Sequence, residues 1–161
     1  MRDRTGATSS GGPHYKCKEL NSPNDIIVDS RDRNWFSDPT CGRTSPTVGV
    51  MRDCPPGYQG VYRLDPDGSQ TCVADDYVRP NALCLMPGEK ALLINDTGRK
   101  HIRRYDVKAG GTLSGGEALA DISSGGPANP DGMQVHEMGR IYCNDPGGVH
   151  ILAPECRSEE H

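Results

Sequence analysis

Three polar side chains recur at matching places in this sequence. Asn24, Asn81 and Asp131 each follow a proline and precede a short apolar run. Two amide oxygens and one carboxylate are hard oxygen donors suited to Ca²⁺, Mg²⁺ or Mn²⁺, and Zn²⁺ is compatible with them. A cation at such a set would polarise a carbonyl oxygen and acidify bound water. Asp131, the acid of the three, is the candidate base for the proton of that water.

The same dipeptides have a structural interpretation, because Pro-Asn and Pro-Asp are common turn formers. Repetition gives the functional interpretation equal weight with the structural one: the three prolines, at positions 23, 80 and 130, lie 57 and 50 residues apart. Each copy also closes on an aspartate, at position 38, 96 or 145. Aspartate readily caps the turn after a strand. Asp38 is nevertheless a candidate for substrate binding, because it stands beside a long loop.

The repeat also predicts the fold. Within each copy an apolar run, a turn and a second run are followed by further short strand candidates, four in the first two copies and three in the last. A period near fifty in a strand-rich chain indicates radial repetition of small sheets. We therefore expect an all-β chain that forms a partial β-propeller of about two and a half to three four-stranded blades. Equivalent positions then surround one axis, so Asn24, Asn81 and Asp131 should converge.

Smaller features refine this expectation. The run Ile26-Ile27-Val28 is continuously apolar, which predicts a strand buried on both faces. Residues 40–58 form a long insertion without a counterpart in the later copies, and such loops often cover a site. Residues 1–14 and 156–161 are predicted to be flexible tails, and residues 15–155 to be the partial propeller. The five histidines show no metal-ligand spacing and are interpreted as surface or turn residues.

Composition excludes several classes of protein. The 20 glycines and 13 prolines among 161 residues disfavour long helices. A net charge of −4 with mixed signs gives no nucleic-acid footprint, and no apolar run is long enough to span a membrane. The seven cysteines form no Cys-x-x-Cys motif, and Cys84 and Cys143 are expected to be apolar fillers in strands. Because the N-terminus lacks an export signal, we expect a reduced, cytoplasmic chain.

An ordered series of motifs carries a resemblance to a known family. The series comprises Leu20-Asn21-Ser22-Pro23-Asn24-Asp25, Trp35-Phe36-Ser37-Asp38-Pro39, Gly60-Val61-Tyr62-Arg63, Arg79-Pro80-Asn81-Ala82-Leu83, Asn95-Asp96-Thr97, Pro130-Asp131-Gly132-Met133 and Gly147-Gly148-Val149. In this order it resembles the gluconolactonase / senescence marker protein (regucalcin) family of sugar lactonases. The resemblance covers about residues 15 to 153.

The resemblance implies a six-bladed propeller with one divalent cation, usually Ca²⁺ or Zn²⁺, at the mouth of the channel. By that resemblance Asn81 and Asp131 match metal ligands, Asp131 matches the catalytic base, and Asn24 matches a channel residue near the substrate. Members of the family are much longer than this chain. The first and last blades have no match here, and a glutamate that completes the family's metal site is missing with them.

Two functional hypotheses follow. The leading one is a metal-dependent hydrolase that opens small-molecule sugar lactones by attack of water on the carbonyl. The alternative is a truncated, catalytically impaired propeller that binds a cation or a partner. Self-association through open sheet edges is a further expectation, since two and a half to three blades cannot close a ring.

Overall fold

The computed structural model describes residues 12–123 and 129–153. Within these residues the chain is all-β apart from one four-residue helix, as predicted. The predicted C-terminal tail and most of the predicted N-terminal tail lie outside the described residues. The elements, in chain order, are β1 (His14–Tyr15), β2 (Lys18–Glu19), β3 (Ile26–Val28), β4 (Asn34–Asp38), α1 (Cys41–Thr44), β5 (Gln59–Leu64), β6 (Gln70–Tyr77), β7 (Pro80–Leu85), β8 (Ala91–Asp96), β9 (His101–Val107), β10 (Leu113–Asp121), β11 (Met133–Val135), β12 (Ile141–Asp145) and β13 (Gly148–Leu152).

The strands form three repeated antiparallel sheets and one small hairpin. Strands β3 to β6 make the first sheet, β7 to β10 the second and β11 to β13 the third, each in sequence order, while β1 pairs with β2. The first strand of the second sheet, β7, contacts the first strands of both other sheets. The predicted repetition of four-stranded units is therefore confirmed for two units, and the third has three described strands.

Turn chemistry in the first sheet follows the sequence. Asp65-Pro66-Asp67-Gly68 connects β5 and β6, and Gly68 adopts a φ of +86° that a residue with a side chain rarely adopts. Its N–H donates to the Asp65 carbonyl at 2.9 Å and closes the turn. Between β3 and β4 the Asp29 carboxylate accepts the N–H groups of Arg31 and Arg33 at 2.9 and 3.0 Å.

Successive sheets pack face to face through apolar residues. Trp35 and Val61 of the first sheet pack with Leu83 and Ile94 of the second in one buried cluster. A second cluster joins the other face of the second sheet to the third sheet, through Ala82, Cys84, Leu93, Ile102, Met133, Ile141 and Cys143. Burial of these faces removes apolar surface from water, which is the main favourable contribution to folding.

The prediction for β3 was wrong in one respect. Ile26 and Val28 are 59% and 55% exposed, so this strand is not buried on both faces. The opposite side chain, Ile27, packs against the cluster around Trp35. A continuous apolar run reveals that both faces are suited to burial, but it does not reveal whether a neighbour covers each of them.

The cysteines of the described residues are free thiols. Cys84 and Cys143 are buried inside strands, which confirms the prediction that they fill the core. Burial raises the pKa of the Cys84 thiol to about 12. Among the described residues there is no helix long and apolar enough to cross a membrane.

Candidate active site

Asn81 and Asp131, which lie 50 residues apart in the sequence, meet between the second and third sheets. The Asn81 side-chain Nδ2 donates to Asp131 Oδ1 at 3.0 Å and also to Thr97 Oγ1 at 3.2 Å. Asn81 is half-buried, whereas Asp131 is exposed and remains accessible to solvent. The structure thus brings together the two residues that the sequence predicted as metal ligands.

Buried polar groups fix the backbone around Asp131. The fully buried Asn95 donates from Nδ2 to the Asp131 carbonyl at 2.7 Å, and the Thr97 hydroxyl donates to the Pro130 carbonyl at 2.6 Å. Both contacts run from the second sheet to the third. Because both bonds hold the main chain, neither occupies the Asp131 carboxylate.

The closing aspartates hold the segments that precede the Pro-Asn pairs. Asp96 Oδ2 and Oδ1 accept the N–H groups of Val78 and Arg79 at 3.0 and 2.9 Å, immediately before Pro80 and Asn81. Asp38 does the same in the first sheet, where Oδ2 and Oδ1 accept the N–H groups of Asn21 and Ser22, both at 2.8 Å.

The predicted cap of the turn after a strand is present at Asp96, whose Oδ1 accepts the N–H groups of Gly98 and Arg99 at 2.9 and 3.1 Å. It is also present at Asp145, whose Oδ1 accepts the Gly147 N–H at 2.6 Å. The bonds of Asp38 run instead to the segment before Pro23.

Asp38, a predicted substrate-binding residue, is completely buried. Burial raises the pKa of its carboxyl group to about 6, against the opposing effect of the hydrogen bonds from Asn21 and Ser22. The structure does not bring Asp38 to the Asn81–Asp131 pair. Its contacts place it behind the segment that leads into Pro23 and Asn24.

Asn24, the other predicted substrate-binding residue, is exposed. It borders a cavity of about 680 Å³ that is also lined by Ile26, Val28 and Phe36. The backbone of Asn24 makes the same hydrogen bond in the first sheet that the backbone of Asp131 makes in the third. Asn24 N–H donates to the Ser37 carbonyl at 3.0 Å, and Asp131 N–H donates to the Asn144 carbonyl at the same distance. Two of the three recurring side chains meet directly, and the third occupies the equivalent place in the first sheet.

The predicted covering loop, residues 40–58, includes α1 and packs against residues 20–22. Arg43 is buried, and its guanidinium donates to the Leu20 carbonyl at 2.7 Å and to the Asp53 carbonyl at 2.9 Å. Gly42 N–H donates to Ser22 Oγ at 3.0 Å. The loop thus holds the same segment that Asp38 holds.

A shallow cavity of about 350 Å³ opens at the pair. Its lining comprises Asn81, Thr97, Asn129, Pro130, Asp131, Asn144, Asp145 and Pro146. At its edge Asp145 Oδ2 lies 2.8 Å from His150 Nε2, and this hydrogen bond is the main cause that lowers the pKa of Asp145. His150, interpreted from the sequence as a surface or turn residue, is a partly buried member of β13.

The site fits a divalent cation in donor type and supplies two side-chain ligands. Asn81 Nδ2 faces Asp131 here, and a half-turn of the amide would exchange it for Oδ1. Two oxygens facing each other repel unless a cation lies between them. Within residues 12–123 and 129–153 no group of three His, Cys, Asp or Glu side chains is arranged to hold a metal ion.

Sequence reasoning missed the residues that support the pair. Ser37, Asn95 and Asn144 each stand one place before a closing aspartate, and this recurrence of polar residues was a usable signal. Asn95 binds the Asp131 carbonyl, and Asn144 lines the cavity. Strand alternation alone did not show that these side chains point toward the neighbouring sheet.

Comparison with known proteins agrees with this architecture. Residues 6–158 match the model of the SMP-30/gluconolactonase/LRE-like region. A gluconolactonase from Zymomonas mobilis subsp. mobilis is 31% identical over 149 residues, which cover 88% of this chain and 41% of that protein. The lactonohydrolase oryL of Aspergillus oryzae is 30% identical over 95 residues, 58% of this chain and 21% of that protein.

Solved structures show the same relationship. A gluconolactonase from Xanthomonas campestris superposes with a TM-score of 0.84 at 32% identity, over 96% of this chain and 51% of that chain. A calcium-binding protein, regucalcin, from Agrobacterium tumefaciens has a TM-score of 0.66 at 20% identity, over 84% and 43% of the two chains, and shares the fold.

The repeated antiparallel sheets are thus those of a propeller-type fold. The chain belongs to the SMP-30/gluconolactonase family. It spans about half the length of the solved gluconolactonase and 41% of the curated one.

Proposed function

We propose that this chain hydrolyses sugar lactones at the Asn81–Asp131 site. The observation that carries the proposal is the direct contact of these side chains, 3.0 Å apart, at the mouth of an open cavity. Membership of the family and the two lactone-hydrolysing relatives support the substrate class. The comparisons favour this proposal over the alternative of a catalytically impaired remnant.

The reaction uses water and one base. The oxygen of a water molecule bonds to the lactone carbonyl carbon, and its proton passes to the Asp131 carboxylate. The bond between that carbon and the ring oxygen then breaks, and the ring oxygen receives the proton. The product is the open hydroxy acid. Without a cation, Asn81 orients the Asp131 carboxylate through its Nδ2, and with one it would turn Oδ1 toward the ion. Asn95 holds the main chain that carries Asp131.

Asn81 and Asp131 would hold a divalent cation, with Ca²⁺ or Zn²⁺ as the leading candidates and Mg²⁺ or Mn²⁺ as further ones. When bound, such an ion polarises the carbonyl and lowers the pKa of its water. The calcium-binding regucalcin of similar fold supports the choice of Ca²⁺. With one carboxylate the binding should be weak, since affinity rises with the charge of the ligands.

The two predicted substrate-binding residues take different parts in this proposal. Asn24 is exposed, so it can contact a sugar hydroxyl directly. Asp38 is buried and acts by positioning the backbone that precedes Asn24. A six-bladed ring and a cytoplasmic location stay predictions.

The test is proton release from glucono-lactone by chelator-treated chain, measured at constant pH with each cation added in turn. Asp131→Asn should reduce the rate above the spontaneous background at least about 100-fold, the usual contribution of a general base. The matched control is Asp106→Asn, an exposed acid that pairs with Lys108 at 3.6 Å. No rate above background from chain with native circular dichroism would refute the proposal.

A further inference from the structure

The Thr97 hydroxyl lies between Asn81 and the segment that carries Asp131. Thr97 Oγ1 is 2.6 Å from the Pro130 carbonyl oxygen and 3.2 Å from Asn81 Nδ2. Thr97 is 7% exposed, and its backbone N–H donates to the Arg79 carbonyl at 2.9 Å. The hydroxyl therefore has a fixed position beside the Asn81 amide.

The direction of both hydrogen bonds of this hydroxyl follows from its chemistry. A carbonyl oxygen can only accept, and two oxygens 2.6 Å apart need a proton between them, so the single hydroxyl proton of Thr97 lies in the bond to Pro130. Thr97 Oγ1 can then only accept from Asn81, which requires the NH₂ group of the amide to face it. Thr97 thus selects the orientation of the Asn81 amide, and the second hydrogen on Nδ2 reaches Asp131 Oδ1.

Thr97 also departs from the repeat at the place where the candidate site lies. The residue that follows the closing aspartate is Pro39 in the first copy, Thr97 in the second and Pro146 in the third. Proline has no polar side chain, so among these three positions only Thr97 can hydrogen-bond a side-chain amide. Departures from a local pattern are expected at functional positions.

We propose that Thr97 is a positioning residue that keeps the Asn81 amide as a hydrogen-bond donor to Asp131 and thereby weakens cation binding at this pair. The proposal rests on the proposed function, in which Asn81 turns its Oδ1 toward an ion. That turn would bring Oδ1 against Thr97 Oγ1, whose proton is engaged by Pro130. A cation therefore binds at the expense of one hydrogen bond that the cation-free chain makes.

The size of this effect follows from the loss of one ordinary hydrogen bond. Its net contribution corresponds to about two- to tenfold in an equilibrium constant. Replacement of Thr97 by valine removes the opposition, since no acceptor then requires the NH₂ group to face inward. The Pro130 carbonyl loses its donor in the free and in the cation-bound chain alike, so that second loss cancels in the affinity.

The test is calorimetric titration of the chelator-treated chain with Ca²⁺ and with Zn²⁺. Thr97→Val should bind the cation about two- to tenfold more tightly than the parent, whereas Thr97→Ser retains the hydroxyl and should match the parent. Thr97→Ala removes the same hydroxyl and should behave like Thr97→Val. The control Thr71→Val alters an exposed threonine of β6 and should leave the affinity unchanged.

Hydrogen exchange of the Asn81 side-chain amide provides a readout that needs no cation. Its NMR signals, identified by their absence from Asn81→Ala, should exchange with solvent faster in Thr97→Val than in the parent or in Thr97→Ser. Equal or weaker cation binding by Thr97→Val, or an Asn81 amide that exchanges equally in all three chains, would overturn the proposal. Neither readout depends on lactone hydrolysis, so failure here is distinguishable from failure of the proposed function.

Discussion

The side-chain amide of Asn81 donates to the Asp131 carboxylate across the junction of two sheets, at 3.0 Å. Asn81 belongs to the second sheet and Asp131 directly precedes the third, so only the packing of one sheet on the other brings them together. Their meeting depends on the packing of β7 beside β11, which buries Ala82 and Met133 below them. The candidate site is thus a product of the inter-sheet core.

Cation binding should depend on Asn81 and not on Asn24, which holds the equivalent position in the first repeat. Adding millimolar Ca²⁺ or Zn²⁺ should raise the thermal midpoint of the parent chain, because an ion that binds only the folded state stabilises it. Asn81→Ala should abolish the shift, since it removes one of the two ligands. Asn24→Ala should keep the shift and raise KM for the lactone. If Asn81→Ala and Asn24→Ala reduce the shift in thermal midpoint equally, the ion does not bind specifically at Asn81 and Asp131.

Asp96 should be essential for stability at the segment that leads into Asn81. Its carboxylate is fully buried and accepts four backbone N–H groups, from Val78, Arg79, Gly98 and Arg99. The four donors belong to exposed residues, so each lost hydrogen bond costs the ordinary net contribution of about 0.5–1.5 kcal/mol. Asp96→Ala should therefore lower the free energy of unfolding by about 2–6 kcal/mol, measured by urea denaturation.

The control for Asp96 is the exposed Asp106→Ala, which should change the unfolding free energy by less than about 0.5 kcal/mol. An Asp96→Ala chain as stable as this control would show that water replaces the carboxylate at the segment. The account of how Asn81 is positioned would then be wrong.

Asp38 should make stability depend on pH in a definite direction. Its pKa is raised from 3.8 to about 6 in the folded chain, so the folded state binds the proton more tightly than the unfolded state. Its contribution is fully present below about pH 4 and is lost as the pH rises through 6. This difference between the pKa of Asp38 in the unfolded and folded chain corresponds to roughly 3 kcal/mol in the free energy of unfolding.

Asp38→Asn removes this titration. Compared with the parent, the variant should be more destabilised at pH 4 than at pH 7.5, by up to about 3 kcal/mol in urea unfolding. Comparing the two chains at each pH cancels the other carboxylates. A difference that stays constant across this range, or grows toward pH 7.5, would show that burial does not control the Asp38 carboxyl.

The sequence predicted the repeated sheets because turn residues and apolar runs recur with one period. It also predicted the contact of Asn81 with Asp131, since repeats place equivalent positions around one axis. It could not predict the exposure of Ile26 and Val28, because the absence of a neighbouring sheet leaves no mark in an apolar run. The burial of Asp38 was equally hidden, since a polar residue in a strand reveals neither its depth nor its partners.

The most direct test of the account is a double-mutant cycle between Asn81 and Asp131 on kcat/KM for glucono-lactone. We expect Asp131→Asn to remove most of the activity and the further change Asn81→Ala to cost almost nothing, because residues that act as one unit are strongly non-additive. Additive losses, or full activity in Asp131→Asn, would contradict the claim that these two side chains form the site.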